Sequence, residues 1–311
     1  MRATIRLGTR KSLLALTQST MIKDLIEKRH PGLKVELVKI VTKGDKITDV
    51  PLAMVGGKGL FDKEIEEAMM RREIDMAVHS MKDMPAELPE ELILGVVPKR
   101  EDPRDAFLAV RYSSVHELPK GARVGTSSLR RKAQLAHLRA DLDIRDLRGN
   151  LDTRLRKLDE GEYEAVILAA AGLNRLGFTD RITGYFSVEE MLPSVAQGAL
   201  GIEVRKDDRE LREDLAFLDD PDTAVTVRAE RAFLQRLEGG CQVPLGCFAQ
   251  VRGAELTVTG LIASVDGTQV VRKTTSGKVG APEESGRGLA EDLLAMGGAA
   301  ILAKVYGRDF S

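Results

Sequence analysis

Four turns of the chain combine glycine or histidine with hydroxyl and basic side chains: Gly8-Thr9-Arg10-Lys11-Ser12, His79-Ser80-Met81-Lys82-Asp83, Gly125-Thr126-Ser127-Ser128-Leu129-Arg130-Arg131 and Arg148-Gly149-Asn150-Leu151-Asp152-Thr153-Arg154. Each reads as the passage from a β-strand into a helix. At such points backbone N–H groups and the positive end of the helix dipole face outward, so an open α/β sheet binds anions there. Ser and Thr add hydroxyl donors, and Arg offers a planar fork that fits a carboxylate. Any one of these turns alone is more often an ordinary helix cap with solvated arginines. Four of them, spread over two α/β units, favour a shared anion site in a cleft between domains.

Two further residues could do chemistry beside it. Asp83 follows Lys82 and is expected among guanidiniums, which would favour its ionised form. A fixed carboxylate could stabilise a developing cation or pass a proton, although an acid there could equally just complement a helix dipole. Cys241 lies in Glu238-Gly239-Gly240-Cys241-Gln242-Val243-Pro244, past a helix end, where two glycines and a proline could present a thiol outward. The competing fate is a small buried hydrophobe, and that is the expectation for Cys247. No histidine neighbours Cys241, so no Cys/His dyad is argued. His30, His79, His116 and His137 lack metal-ligand spacing, so no metal site is expected and core or solvated positions suit all four.

The elements that must hold these residues follow from periodicity. Residues 4–8, 34–42 and 74–78 read as strands, and 13–26 and 62–72 as helices, the second with acids early and arginines late. This βαβαβ alternation implies a mostly parallel sheet. Residues 48–59, with Gly56-Gly57-Lys58-Gly59, are predicted to be a mobile loop. A linker at 98–103 precedes a second unit beginning at Arg123. In it, strands are expected at 144–147 and 165–168, and helices at 129–139, 151–158 and onward to Arg175. A helix at 223–237, antiparallel strands at 248–252, 255–262 and 269–275, and a helix at 283–305 make a smaller α+β domain.

Composition narrows the function class. The 311 residues allow two or three domains, and 43% hydrophobic with 31% charged residues is globular. A formal net charge of -1 gives no global attraction to nucleic acid or anionic membrane, so an anion site must be built locally. No apolar run approaches the ~20 residues of a membrane span, and the first residues read as a strand, not a signal peptide. The cytoplasm is the expected compartment, and the two cysteines are expected as thiols.

These segments resemble the porphobilinogen deaminase (hydroxymethylbilane synthase) family almost from end to end. The resemblance is carried by Arg10-Lys11-Ser12-Leu13-Leu14-Ala15-Leu16, Gly44-Asp45, Val55-Gly56-Gly57-Lys58-Gly59-Leu60-Phe61, Asp75-Met76-Ala77-Val78-His79-Ser80-Met81-Lys82-Asp83 and Arg100-Glu101-Asp102-Pro103-Arg104-Asp105. It continues in Val124-Gly125-Thr126-Ser127-Ser128-Leu129-Arg130-Arg131, Leu147-Arg148-Gly149-Asn150, Ala170-Ala171-Gly172-Leu173, Gln197-Gly198 and the Cys241 segment. The resemblance implies an α/β fold of two periplasmic-binding-protein-like doubly wound domains, 1–99 with 198–217 and 104–193, plus a smaller α+β domain at 221–311. It implies a monomer in which Cys241 carries a dipyrromethane through a thioether. On that primer four porphobilinogen molecules are joined head to tail with loss of ammonia, and hydrolysis frees hydroxymethylbilane.

By the same resemblance Asp83 is the catalytic carboxylate. The cofactor would be held by Lys82, Asp83, Thr126, Ser127, Ser128, Arg130, Arg131 and Arg148. Substrate would meet Arg10, Ser12, Arg148, Arg154, Arg175 and Gln197. Gly56, Gly57 and Lys58 would belong to a loop that could cover the cleft. Pyrroles bearing acetate and propionate need such guanidiniums, which is where resemblance and residue chemistry meet. The rivals are a two-lobed anion-binding protein without catalysis and, less strongly, a nucleic-acid binder. The second finds few aromatic residues to stack bases.

Overall fold

The computed structural model describes residues 2–46, 62–85, 87–239, 243–308 and 310. The expected mobile loop with Gly56, Gly57 and Lys58, and the thiol of Cys241, lie outside the described residues. The chain forms two compact units, Met1–Glu101 with Ala199–Ala224, and Asp102–Gly198 with Val225–Ser311.

The first unit is built on a five-stranded sheet in the order β2-β1-β3-β10-β4. Strand β1 (Thr4–Thr9) runs parallel to β2 (Lys34–Lys39) and β3 (Met76–Ser80). Apolar residues supply both faces. Ile22 and Ile26 of helix Leu13–Arg29 join Leu211 and Leu215 of helix Arg209–Leu215 in one buried cluster. Ile65, Ala68 and Met69 of helix Lys63–Met70 pack with Ile74 and Ala77 in another. Each of the isoleucine, leucine and methionine side chains among them, fully buried, contributes roughly 1.5–3 kcal/mol.

Strand β10 (Leu200–Arg205) inserts antiparallel between β3 and β4 (Leu92–Val96). Its pattern hides it from a hydrophobic reading because Glu203 and Arg205 are themselves buried. Arg205 is accommodated by donating to the carbonyls of Met69 at 3.1 Å and Ile74 at 2.6 Å and by pairing with Asp75 and Asp208, each at 3.2 Å.

The second unit holds two sheets. One has the order β7-β6-β8-β5-β9. Its β6 (Arg123–Gly125) is parallel to β7 (Asp143–Arg145) and β8 (Ala165–Ala169), while β5 (Asp105–Ala109) is antiparallel to β8 and to β9 (Gly184–Tyr185). This sheet therefore starts at Asp105, earlier than the Arg123 expected from periodicity. Leu135 of helix Leu129–Leu138 packs in a cluster on one face, and Leu155 and Leu158 of helix Leu151–Asp159 pack in a cluster on the other.

The other sheet is a three-stranded antiparallel meander, β11 (Leu245–Arg252), β12 (Glu255–Ala263) and β13 (Val270–Lys278). Gly260 of β12 lies so close to Phe233, Leu289 and Leu293 that any side chain there would collide with them, which fixes helices Pro221–Arg236 and Pro282–Leu293 against the strands. The single helix expected at 283–305 is broken by a wide turn, Leu294–Gly298, with Gly297 at φ 108°, before Ala299–Tyr306 resumes. The second unit's two sheets meet through Ala133, Leu192, Leu261 and Ala263. No described helix is long and apolar enough to cross a membrane.

Candidate active site

In the first unit, the turn after β1 leads into helix Leu13–Arg29. Ser12 caps that helix, its Oγ accepting from the Ala15 N–H at 3.3 Å. Gly8 lets Ile74 pack close at the strand end, since a Cβ there would lie 2.4 Å from Ile74 Cδ1 and push that tip aside. The turn after β3 is a single 3₁₀ turn, Met81–Asp83, not the α-helix the pattern suggested. Ser80 Oγ accepts from Gln18 Nε2 at 3.0 Å, which ties this turn to the first helix.

Asp83 keeps a solvent-exposed surface. Desolvation nevertheless raises its carboxyl above the ordinary value; Lys82 and then Arg10 pull it down less strongly, and Asp62 adds to the rise. The expectation that neighbouring cations would favour the ionised form is therefore reversed. Crowding by protein outweighs the two positive charges, and the result is a carboxyl better suited to holding a proton.

Near it lies a charged core that the histidine spacing did not reveal. His79 is buried with Nδ1 3.2 Å from Asp62 and Nε2 2.9 Å from Glu203. Burial pulls the imidazole down, yet the two carboxylates prevail and push it up to about 10. Glu66 is pushed up to about 7 by burial and by the negative charges of Glu203 and Asp62.

In the second unit, the turn after β6 packs its donors tightly. Thr126 is buried, with Oγ1 accepting from the Ser128 N–H at 3.3 Å. Ser127 Oγ donates to the Leu147 carbonyl at 2.9 Å, and Ser128 Oγ caps helix Leu129–Leu138 by accepting from the Arg131 N–H at 3.4 Å. A capping hydroxyl is used there as an acceptor and retains its own hydrogen for donation. Gly149 takes φ 110°, and a Cβ on it would meet Thr153 at 2.7 Å, so the turn carrying Arg148 requires glycine. Asn150 Oδ1 then caps the next helix, accepting from the Thr153 N–H at 2.9 Å.

Three of the expected arginines are drawn together. Arg130 Nη1 donates to Asp105 Oδ2 at 2.7 Å and to the Leu192 carbonyl at 2.7 Å. Arg131 Nε donates to Asp105 Oδ1 at 2.9 Å, and its Nη1 reaches the Ile167 carbonyl at 3.2 Å. Arg154, half-buried, donates from Nε to the Gly149 carbonyl at 2.9 Å, and burial followed by repulsion from Arg131 pulls its guanidinium below the ordinary value. Among the described residues no carboxylate lies within ion-pair distance of Arg154. The buried Nε of Arg130 likewise has no hydrogen-bond acceptor among them.

Asp105 is the residue that sequence reasoning passed over. It stood in a quoted motif, but nothing in the spacing marked it as the partner of two arginines 25 and 26 positions away. Gln197, expected to meet substrate, is buried and donates from Nε2 to Pro103 O at 2.7 Å and to Asp105 Oδ1 at 3.0 Å. Arg175 reaches the neighbouring Gly198 carbonyl at 2.6 Å. Helix Pro221–Arg236 runs into Glu238 at φ 48° and then Gly239, which is pressed between Leu234 and Leu245. These residues and the buried Val243 bracket the segment that contains Cys241. Cys247 is buried in β11, the position its sequence suggested.

A cavity of about 670 Å³ lies at the opposite strand ends of the second sheet, lined by residues such as Lys120, Arg123 and Tyr163. Its Arg123–Glu164 and Arg145–Asp143 pairs neutralise one another at 2.5 Å each, and it contains none of the expected site residues.

Residues 5–213 match the family described as porphobilinogen deaminase, dipyromethane cofactor binding domain, and residues 224–295 match the porphobilinogen deaminase C-terminal domain. The chain belongs to the porphobilinogen deaminase family. It is 59% identical over 307 residues to the porphobilinogen deaminase of Geobacter sulfurreducens, covering 99% of this chain and 96% of that one. It is 56% identical over 305 residues to that of Pelobacter propionicus, covering 98% of each. Among solved structures, the periplasmic aliphatic sulphonate binding protein SsuA from Escherichia coli is loosely similar, at 16% identity and TM-score 0.40, covering 76% of this chain and 71% of that one.

The donor set suits the dipyrromethane cofactor of a porphobilinogen deaminase. Two guanidiniums on one carboxylate, with Arg154 close enough to feel Arg131, leave positive charge in excess, and a buried Arg130 N–H still seeks an acceptor. An acid-rich group answers both needs.

Proposed function

We infer that this chain is a transferase of tetrapyrrole biosynthesis that joins four porphobilinogen molecules head to tail, releases ammonia at each addition, and frees hydroxymethylbilane by hydrolysis. The observation that supports this reading most directly is the excess of guanidinium over carboxylate at Arg130, Arg131, Arg154 and Asp105. A neutral or cationic ligand would leave that charge uncompensated.

When attached to Cys241, the dipyrromethane supplies a primer with a reactive pyrrole carbon and carboxylates for the arginines. Arg130, Arg131 and Arg148, with Lys82, Thr126, Ser127 and Ser128, hold those carboxylates and ring groups. Arg10, Ser12, Arg148, Arg154 and Arg175 bind the incoming substrate. Gln197 belongs with the support of Asp105, given where its amide points.

Loss of ammonia from porphobilinogen breaks a C–N bond and leaves an electron-poor azafulvenium. Asp83 stabilises that cation electrostatically, and its raised carboxyl can take up the proton lost from the attacking pyrrole carbon as the new C–C bond forms. The Cys241 sulfur adds naturally to the same kind of soft, electron-poor carbon. The division into 1–99 with 198–217, 104–193 and 221–311, a monomeric state, and a cytoplasmic location complete the reading.

Intact mass of the purified protein tests it. Wild type is expected to carry the extra mass of two linked pyrrole units and Cys241→Ser none. An active wild-type protein of unmodified mass would refute the anchor.

A further inference from the structure

We propose that Asp105 is a positioning residue: it fixes the guanidiniums of Arg130 and Arg131 for the bound carboxylates and ties them, through Gln197 and Glu230, to the helix that leads to Cys241. The proposal rests on the function inferred above and deepens it.

Asp105 opens β5 with no solvent exposure. Its Oδ2 receives Arg130, while its Oδ1 receives Arg131 at 2.9 Å and Gln197 at 3.0 Å. Each arginine is held at a second point by a backbone carbonyl, Leu192 for Arg130 and Ile167 for Arg131. A guanidinium held at two points has little freedom left, so its remaining N–H groups keep fixed directions. Gln134 makes the Leu192 anchor rigid in turn, accepting its N–H at 2.7 Å and donating back to its carbonyl at 3.1 Å.

The charge count also fits a positioning role. One carboxylate between two guanidiniums leaves the pair cationic, and Arg154 beside Arg131 adds to it. A second carboxylate would cancel the attraction for an acid-rich ligand. With none, three like charges would repel one another out of register.

The link toward Cys241 runs through the next residues. Ala196, immediately before Gln197, adopts φ 54°, and its N–H donates to Glu230 Oε2 at 2.5 Å. Glu230 is fully buried on helix Pro221–Arg236, and its Oε1 accepts from the Ala249 N–H of β11 at 2.8 Å. Helix and strand flank the Cys241 segment on either side. The arginine pair, the helix and the strand are therefore braced by one set of buried hydrogen bonds.

The test uses the full chain purified from cells that make no porphobilinogen, mixed with porphobilinogen, and the rate at which it gains the two-pyrrole mass. Asp105→Asn keeps the side-chain shape but weakens the hold on both arginines. Misplacing a binding group by about 1 Å can cost on the order of 10²-fold, so at least a tenfold slower gain is expected from a variant whose circular dichroism matches wild type. A rate within about threefold of wild type would overturn the proposal, since so small a change is below what a displaced guanidinium costs. If Asp105→Asn does not accumulate as folded protein, Gln197→Met is read in its place. It leaves the arginine pairs intact but removes the brace, so a slower gain supports the proposal and an unchanged one overturns it. If wild type itself gains no mass, the function inferred above fails, whereas wild-type gain with unaffected variants sinks only the positioning role.

Discussion

Asp83 and Asp105 are carboxylates beside basic residues, and desolvation pushes both in the same direction, yet they end on opposite sides of the ordinary carboxylate range. Asp105 is held well below it, because two guanidiniums within hydrogen-bonding distance overcome desolvation. Asp83 stays above it, because Lys82 and Arg10 act only through space and desolvation wins. Contact, more than the number of neighbouring cations, decides the outcome. The molecule thus has one aspartate held firmly in its charged form and one whose carboxyl keeps its proton more readily than usual.

The largest effect that would sharpen this contrast is on stability. Removing the shared partner of two buried arginines with Asp105→Ala should cost about 3–5 kcal/mol, measured by urea unfolding. Because its carboxyl is depressed in the folded state, the stabilisation is present above the unfolded value, near 4, and is lost as pH falls below it. The difference between wild type and variant should therefore shrink in acid. A loss that stays constant down the acid limb would break the assignment of that charge.

Asp83→Asn should lower turnover by about 10²–10³-fold while the fold survives. Here the sign is reversed. A raised carboxyl costs stability once pH exceeds the unfolded value, so the variant should melt at or above the wild-type temperature at neutral pH. Near-normal turnover, or a melting temperature well below wild type, would count against the proton-exchanging role.

A smaller and slower effect comes from His79, the charged group beneath the Asp83 turn. Its raised value means its contribution is complete below about 6.5 and fades as pH rises toward about 10. Wild-type stability should decline across that window, and His79→Gln should flatten the decline, lowering stability most at its acid end. An unchanged slope in the variant would show that His79 is neutral in the folded protein.

How much of this could be read in advance depends on whether the deciding partner is near in sequence. The strands and helices around Arg10, Arg130 and Arg148 followed from alternation and from caps at Ser12, Ser128 and Asn150, which are local signals. The basic turns were likewise visible as a group. Strand β10 was not, because its buried Glu203 and Arg205 imitate an exposed pattern until Asp75, Asp208 and His79 are known to face them. Asp105 was passed over for the same reason, since a carboxylate becomes a guanidinium partner only once β5 lies beside β8. The break at Gly297 was written in two adjacent glycines. The apolar spacing on either side concealed it.

The position of β10 also bears on how the polypeptide is made. Ser80 finds its ladder partner at Leu200, so the first sheet lacks an interior strand until the ribosome has passed the whole of the second. By the time Tyr185 has emerged, every strand of the sheet that starts at Asp105 is in hand. The sheet begun first is thus the later one to have all its strands, and until β10 is synthesised the edges of β3 and β4 that it will join stay unpaired.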